Sequence, residues 1–241
     1  MATAWLENGL RGWLERLRLG PADDGAGKFS WDALGERAPG ERRILHVGCG
    51  TATQMHLPGE FKSAAWREVR LDADHDVHPD ILASMTDMSP VPDAAVDAIF
   101  SSHGVEHLYW HDVPRAFAEF RRVLADDGVF VVTCPDLQAA AAMIAEDKLF
   151  EPAYESPAGT ITPFDIVYSY RPFVEKNPQW MAHHCGYTLS TLVAVLRQAG
   201  FSGFFGFRRP SAFDLWVLAT PQACSEDTLR ELANRFLPGV E

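Results

Sequence analysis

The segment Arg43-Ile44-Leu45-His46-Val47-Gly48-Cys49-Gly50 constrains this chain more than any other. Largely apolar, strand-favouring residues run straight into two glycines set one residue apart. That pattern reads as a buried strand ending in a tight turn. Glycine has no Cβ, so the backbone at such a turn can pass close to a bound ligand. At the end of the first strand of a parallel sheet, this is where nucleotide-like cofactors sit. The next strand-like segment, Glu68-Val69-Arg70-Leu71-Asp72, ends in an acid 24 positions after Gly48. A carboxylate there can accept both hydroxyls of a ribose.

A phosphate-bearing ligand fits less well. A dinucleotide site asks for G-x-G-x-x-G opening a long helix, and the third glycine is replaced by Thr53. Pro58-Gly59 follows too soon for a long helix. The lysine of a P-loop is absent. The turn therefore reads as an adenosine site without phosphates.

Gly48-Cys49-Gly50, Asp72, Asp87, Ser102-His103-Gly104-Val105-Glu106-His107-Leu108 and Arg121-Arg122-Val123-Leu124-Ala125-Asp126-Asp127-Gly128 stand in one order. That set resembles a class I S-adenosylmethionine (SAM) dependent methyltransferase. The likeness covers residues 42–136 well and continues more loosely through 188–220. His46 and Ala52 depart from it, standing where the family usually has an acid and a third glycine. The resemblance implies SAM as cofactor. It implies Gly48, Cys49, Gly50, Asp72, Asp87, Met88, Ser102 and His103 as its binding residues. Asp87 would meet the adenine amino group, with Met88 on the ring face. Ser101, Ser102 and His103 would lie beside the methionine end. Asp97 matches a fourth-strand acid of the family and is expected to be structural.

Strands are expected near 43–47, 68–72, 80–83, 95–100 and 129–133, with a helix over 112–125 started by Asp112 and Pro114. Near-continuous apolar strands separated by helices indicate a parallel sheet buried on both faces. A helix over 137–149, another over 188–200 and a hairpin of 203–208 with 213–219 complete the pattern. The implied fold class is α/β: a Rossmann-like class I methyltransferase fold, with a seven-stranded, mostly parallel sheet, helices on both faces, an N-terminal helix and a cap insertion after strand five. The expected units are a helical extension or lid (1–41), a SAM-binding catalytic domain (42–220, with the cap at 137–187) and a tail (221–241) carrying a short surface helix. Residues 3–19 make an amphipathic helix that suits a core helix, a lid or a homodimer contact.

A net charge of -12 and scattered arginine doublets argue against nucleic acid, since phosphate binding needs clustered Lys and Arg. No run approaches membrane-spanning length. Four separated cysteines show no disulfide or zinc spacing. A cytoplasmic protein with a small-molecule acceptor is expected.

His103, Glu106, His107 and His111 crowd into nine residues. His103 to His107 spells H-x-x-E-H, a zinc-peptidase pattern. That chemistry needs a long helix through both histidines, and Gly104 interrupts one, so no metal is expected. A histidine near the transferred methyl group suits a general base. The cap holds five prolines and many aromatics, and it should lie over the carboxyl ends of the sheet. His103, Tyr154, Tyr168, His183 and His184 are the catalytic candidates, and Arg171 a clamp for an acceptor carboxylate. Methyl transfer by in-line displacement is the expected reaction. A SAM-cyclising enzyme making azetidine-2-carboxylate and methylthioadenosine, a SAM sensor without catalysis, and a zinc hydrolase are its rivals.

Overall fold

The computed structural model describes residues 31–52 and 54–239. The expected N-terminal helix lies outside the described residues. Strands β1 (Arg42–Val47), β2 (Trp66–Asp72), β3 (Ile81–Leu82), β4 (Val96–Ser102), β5 (Leu124–Pro135), β8 (Gly203–Arg209) and β9 (Asp214–Thr220) form one sheet in the order β3-β2-β1-β4-β5-β9-β8. The pairs from β3 through β5 are parallel, and β9 runs against both β5 and β8. The chain thus reverses its direction of sheet growth between β1 and β4. A crevice opens outside the carboxyl ends of strands at such a switch point.

Alternate strand residues feed two cores, as the period-2 pleat requires. Leu45, Val47, Ile99, Phe130 and Val132 face one side, against Phe117 and Phe120 of helix α1 (Val113–Val123) and Leu192 and Leu196 of helix α6 (Leu189–Gln198). Ile44, Ala98, Phe100, Val129 and Val131 face the other. Helix α7 (Glu226–Phe236) covers that second face through Ala233 and Phe236, followed by Leu237. The tail is therefore a layer of the fold and not a surface helix. Phe61 and Phe236 stack 4.6 Å apart, and fully burying a ring of this size stabilises by roughly 1.5–3 kcal/mol.

One turn also differs from expectation. The β4–β5 register jumps from Val96–Leu124 to Ala98–Val129, so Ala125–Gly128 bulge out of a strand that has already begun. The expected separate turn is folded into the ladder.

Residues 137–187 stand between β5 and α6. They hold α2 (Leu137–Ala145), a hairpin of β6 (Tyr154–Ser156) and β7 (Gly159–Ile161), and short helices α3 (Pro163–Tyr168), α4 (Arg171–Lys176) and α5 (Pro178–Met181). Ala140, Ile161 and Ile166 form a small core of their own with Tyr154, Tyr170 and Phe213 packed against it. Thr162 and Asp165 make a capping box at the start of α3. No helix among the described residues is long and apolar enough to cross a membrane.

Candidate active site

The turn after β1 is built as its glycines suggest. Gly48 and Gly50 adopt φ of 66° and 51°, the left-handed region open to glycine. Gly48 and Cys49 both donate to the Leu71 carbonyl oxygen, at 2.9 and 3.3 Å. Asp72 then fixes the turn from the next strand. Its Oδ2 accepts from the Gly50 N–H (2.8 Å) and its Oδ1 from the Asp74 N–H (2.9 Å). Each oxygen retains a further lone pair.

Arg70 lies behind this loop, and sequence reasoning missed it. Its guanidinium donates to the carbonyl oxygens of Gly50 (2.6 Å), Ala52 (3.1 Å), Val77 (3.2 Å) and His78 (3.0 Å). One side chain ties the glycine turn to the β2–β3 loop. Only the fivefold donor fork of arginine can do this. His46 Nδ1 meets Glu68 Oε1 of β2 at 2.7 Å in the core. Burial pushes the Cys49 thiol up to about 12, so it is an inert wall and not a nucleophile.

These elements enclose a cleft of about 450 Å³. Gly48, Cys49, Gly50, Asp72, Ser84, Met85, Ser102, His103 and Gly104 line it, with Gly48 against Gly104 and Met85. Among the described lining residues there is no Lys or Arg, so the cleft offers phosphate no basic partner. Asn177, Trp180 and Met181 of the cap roof it, and Asn177 Nδ2 donates to Asp74 Oδ2 at 3.3 Å.

Asp87 and Met88 are corrections. Neither lines the cleft. Ser84 and Asp87 pair as an isolated bridge, and the turn presents Met85 to the cleft instead. Asp87 is exposed, and hydrogen bonds from Ser89 hold its pKa below the ordinary value. Met88 is fully buried in the core. Its N–H donates to Glu119 and its carbonyl accepts from Arg122.

A second cavity of about 240 Å³ lies under the cap. It shares His103, His107 and Met181 with the cleft and adds Glu106, Tyr154, Tyr170, His183 and Phe213. His103 turns the chain at the tip of β4 with φ 49°, and its N–H donates to Thr133 O at 2.9 Å. Its Nδ1 lies 3.3 Å from Glu106 Oε1. Surrounding protein opposes protonation of His103, but Glu106 outweighs it, so the His103 pKa stands above the ordinary value. Burial raises that of Glu106, and the imidazoles of His103, His107 and His183 more than offset it, leaving it lowered. Burial holds His183 below the usual histidine range. Burial also raises the Tyr154 phenol, making it a poor base.

The catalytic candidates divide. His103, Tyr154 and His183 meet in the second cavity. Tyr168 and His184 do not line it: Tyr168 is 56% exposed and packs on Phe164, and His184 stacks on Tyr109. Arg171 is no free clamp. Its Nε donates to Asp165 Oδ1 at 2.9 Å while the guanidinium lies over Phe150 and Phe164. Asp97 is structural as expected, accepting from the Arg43 N–H at 2.7 Å and from Arg37.

Residues 45–132 match a family model described as a methyltransferase domain. The cleft suits SAM: it offers phosphate no basic partner, has glycines at its turn and carries the Asp72 carboxylate at the end of β2. Among solved structures, the fold is similar to a protein from Pyrococcus horikoshii OT3, at 12% identity and a TM-score of 0.52, with 76% of this chain and 82% of that one covered. It is also similar to the CMeT domain of the citrinin polyketide synthase, at 11% identity and a TM-score of 0.51, with 78% and 48% covered. No curated protein matches the chain in sequence.

Proposed function

We propose that this chain is a SAM-dependent methyltransferase and acts on a small molecule held in the second cavity under the cap. The observation that carries this reading is His103, which lines both cavities and so stands where cofactor and acceptor would meet. The acceptor's nucleophile attacks the sulfonium methyl carbon of SAM in line, the new bond forming as the methyl–sulfur bond breaks and S-adenosylhomocysteine leaves. Gly48, Gly50 and Asp72 hold the adenosine, and Ser102 and His103 face the methionine end. His103, beside Glu106, takes the proton the acceptor loses. Met181 and His107 line both cavities, and Trp180 and Asn177 of the cap line the cleft. The small cavity and the net charge of -12 favour a small acceptor over a nucleic acid. In this reading residues 42–220 are the catalytic unit, 137–187 its cap, and 1–41 a lid or a homodimer contact.

The test is to incubate the protein with SAM, alone and with pools of small acceptors, and to identify the thioether that leaves. S-adenosylhomocysteine formed only with an acceptor is expected. His103→Gln should then slow turnover about 100-fold or more while SAM affinity stays within a few-fold. Methylthioadenosine formed without acceptor would overturn the proposal in favour of cyclisation. SAM intact in every mixture would overturn it in favour of a sensor.

A further inference from the structure

Beside His103, the second cavity holds two further imidazoles around Glu106 that the proposed proton transfer does not use. Glu106 is 1% exposed, and neither of its carboxylate oxygens receives a hydrogen bond among the described residues. Two imidazoles close on it. His107 Nδ1 lies 3.0 Å from the Ala182 carbonyl oxygen, and His183 Nδ1 lies 3.0 Å from the Ile166 carbonyl oxygen. A carbonyl only accepts, so both Nδ1 atoms carry the hydrogen and both Nε2 atoms keep a lone pair. His183 Nε2 stands 3.9 Å from Glu106 Oε1. One ligand atom from each of Glu106, His107 and His183 lies within 4.8 Å of the others. A buried carboxylate and two imidazole lone pairs thus converge, with His103 Nδ1 3.3 Å from Glu106 Oε1 as the remaining neighbour of the carboxylate. Leaving such acceptors unsatisfied is unfavourable.

We propose that Glu106, His107 and His183 bind a divalent first-row transition-metal ion of the zinc type. Two imidazoles and one carboxylate are a donor set for such ions. The backbone carbonyls behind both histidines supply the outer support that orients metal-bound imidazoles and fixes their tautomer. Three protein ligands leave a coordination position open, and the second cavity adjoins it. This is not the peptidase arrangement that H-x-x-E-H suggests. Val105–His107 is a three-residue 3-10 turn, and the third ligand comes from the cap. The metal site goes beyond the acceptor reading and does not depend on it.

The experiment uses the full chain, stripped with a chelator and titrated with zinc or cobalt(II) alone. One ion per chain is expected by elemental analysis, with visible d–d absorption for cobalt. His107→Ala, His183→Ala and Glu106→Gln should each weaken binding at least tenfold. His183→Cys keeps a ligand at that position, so it should retain cobalt and add a sulfur-to-metal charge-transfer band. The group Asp74, His75 and Asp76, of which the last two are exposed, is the control, and Asp76→Asn should leave binding unchanged. No stoichiometric ion in the wild type would overturn the proposal. So would His183→Ala binding as tightly as wild type, or His183→Cys holding cobalt without the new band. None of these results depends on methyl transfer.

Discussion

Replacing Asp72 with alanine tests the cofactor end of the cleft most sharply. The wild-type carboxylate is pinned by the Gly50 and Asp74 N–H groups, which leaves one lone pair on each oxygen for the two ribose hydroxyls. A hydrogen bond to a charged group contributes about 1.5–3 kcal/mol. Two at the lower end come to about 3 kcal/mol, and each 1.4 kcal/mol is tenfold in affinity. Asp72→Ala should therefore weaken SAM binding about 100-fold, with about tenfold as the minimum if water replaces one bond. The loss of two anchoring bonds to the turn adds in the same direction. Calorimetric titration with SAM and with S-adenosylhomocysteine reads the effect, and both ligands should weaken alike because they share the ribose. Circular dichroism confirms that the variant is folded. A folded Asp72→Ala protein that binds within threefold of wild type would refute the ribose assignment.

Three further outcomes follow from the same geometry. Arg70→Met removes four bonds to loop carbonyls, so SAM affinity and melting temperature should fall together, and a loss of neither would mean that the loops hold themselves. Burial raises the Asp165 pKa, but bonds from Arg171 and Thr162 more than offset it, so the folded value is lowered. Its stabilising contribution is then present above the unfolded value of about 3.9 and lost as pH falls through the folded one. The melting-temperature gap between wild type and Asp165→Asn should be full at neutral pH and close below about pH 4, and a gap independent of pH would count against this pairing. Gly59 has φ 51°, and a Cβ there would stand 2.1 Å from the Arg235 carbonyl oxygen. Gly59→Ala should cost at least about 2 kcal/mol in denaturant unfolding, and an unchanged midpoint would refute the close packing of the tail helix on this turn.

Local pattern carried much of the architecture. The apolar run into Gly48-Cys49-Gly50 and the acid closing β2 were legible because strand, turn and ribose site follow one another along the chain. The parallel sheet was legible in its apolar strands, and the antiparallel last strand came from the family resemblance. What failed depended on turns and on distance. Asp87-Met88 has the letters of an adenine contact, yet the Ser84–Asp87 bridge turns Met85 inward, and Glu119 with Arg122 anchors Met88 in the core. Tyr168 and His184 looked equivalent to Tyr154 and His183, but neighbouring residues point to different sides of the cap. The meeting of His183 with Glu106 spans 77 positions and has no local spacing to reveal it. Arg70 reads as an ordinary strand arginine until its four carbonyl partners are seen. The tail helix gave no sign that Phe236 would stack on Phe61.

A crystal structure of the protein with S-adenosylhomocysteine tests the central claim most directly. The expected result is a ribose bound to Asp72, adenine between Met85 and the β2–β3 loop, and a sulfur beside His103 facing the second cavity. A cofactor seated elsewhere, or a sulfur turned away from that cavity, would contradict the account.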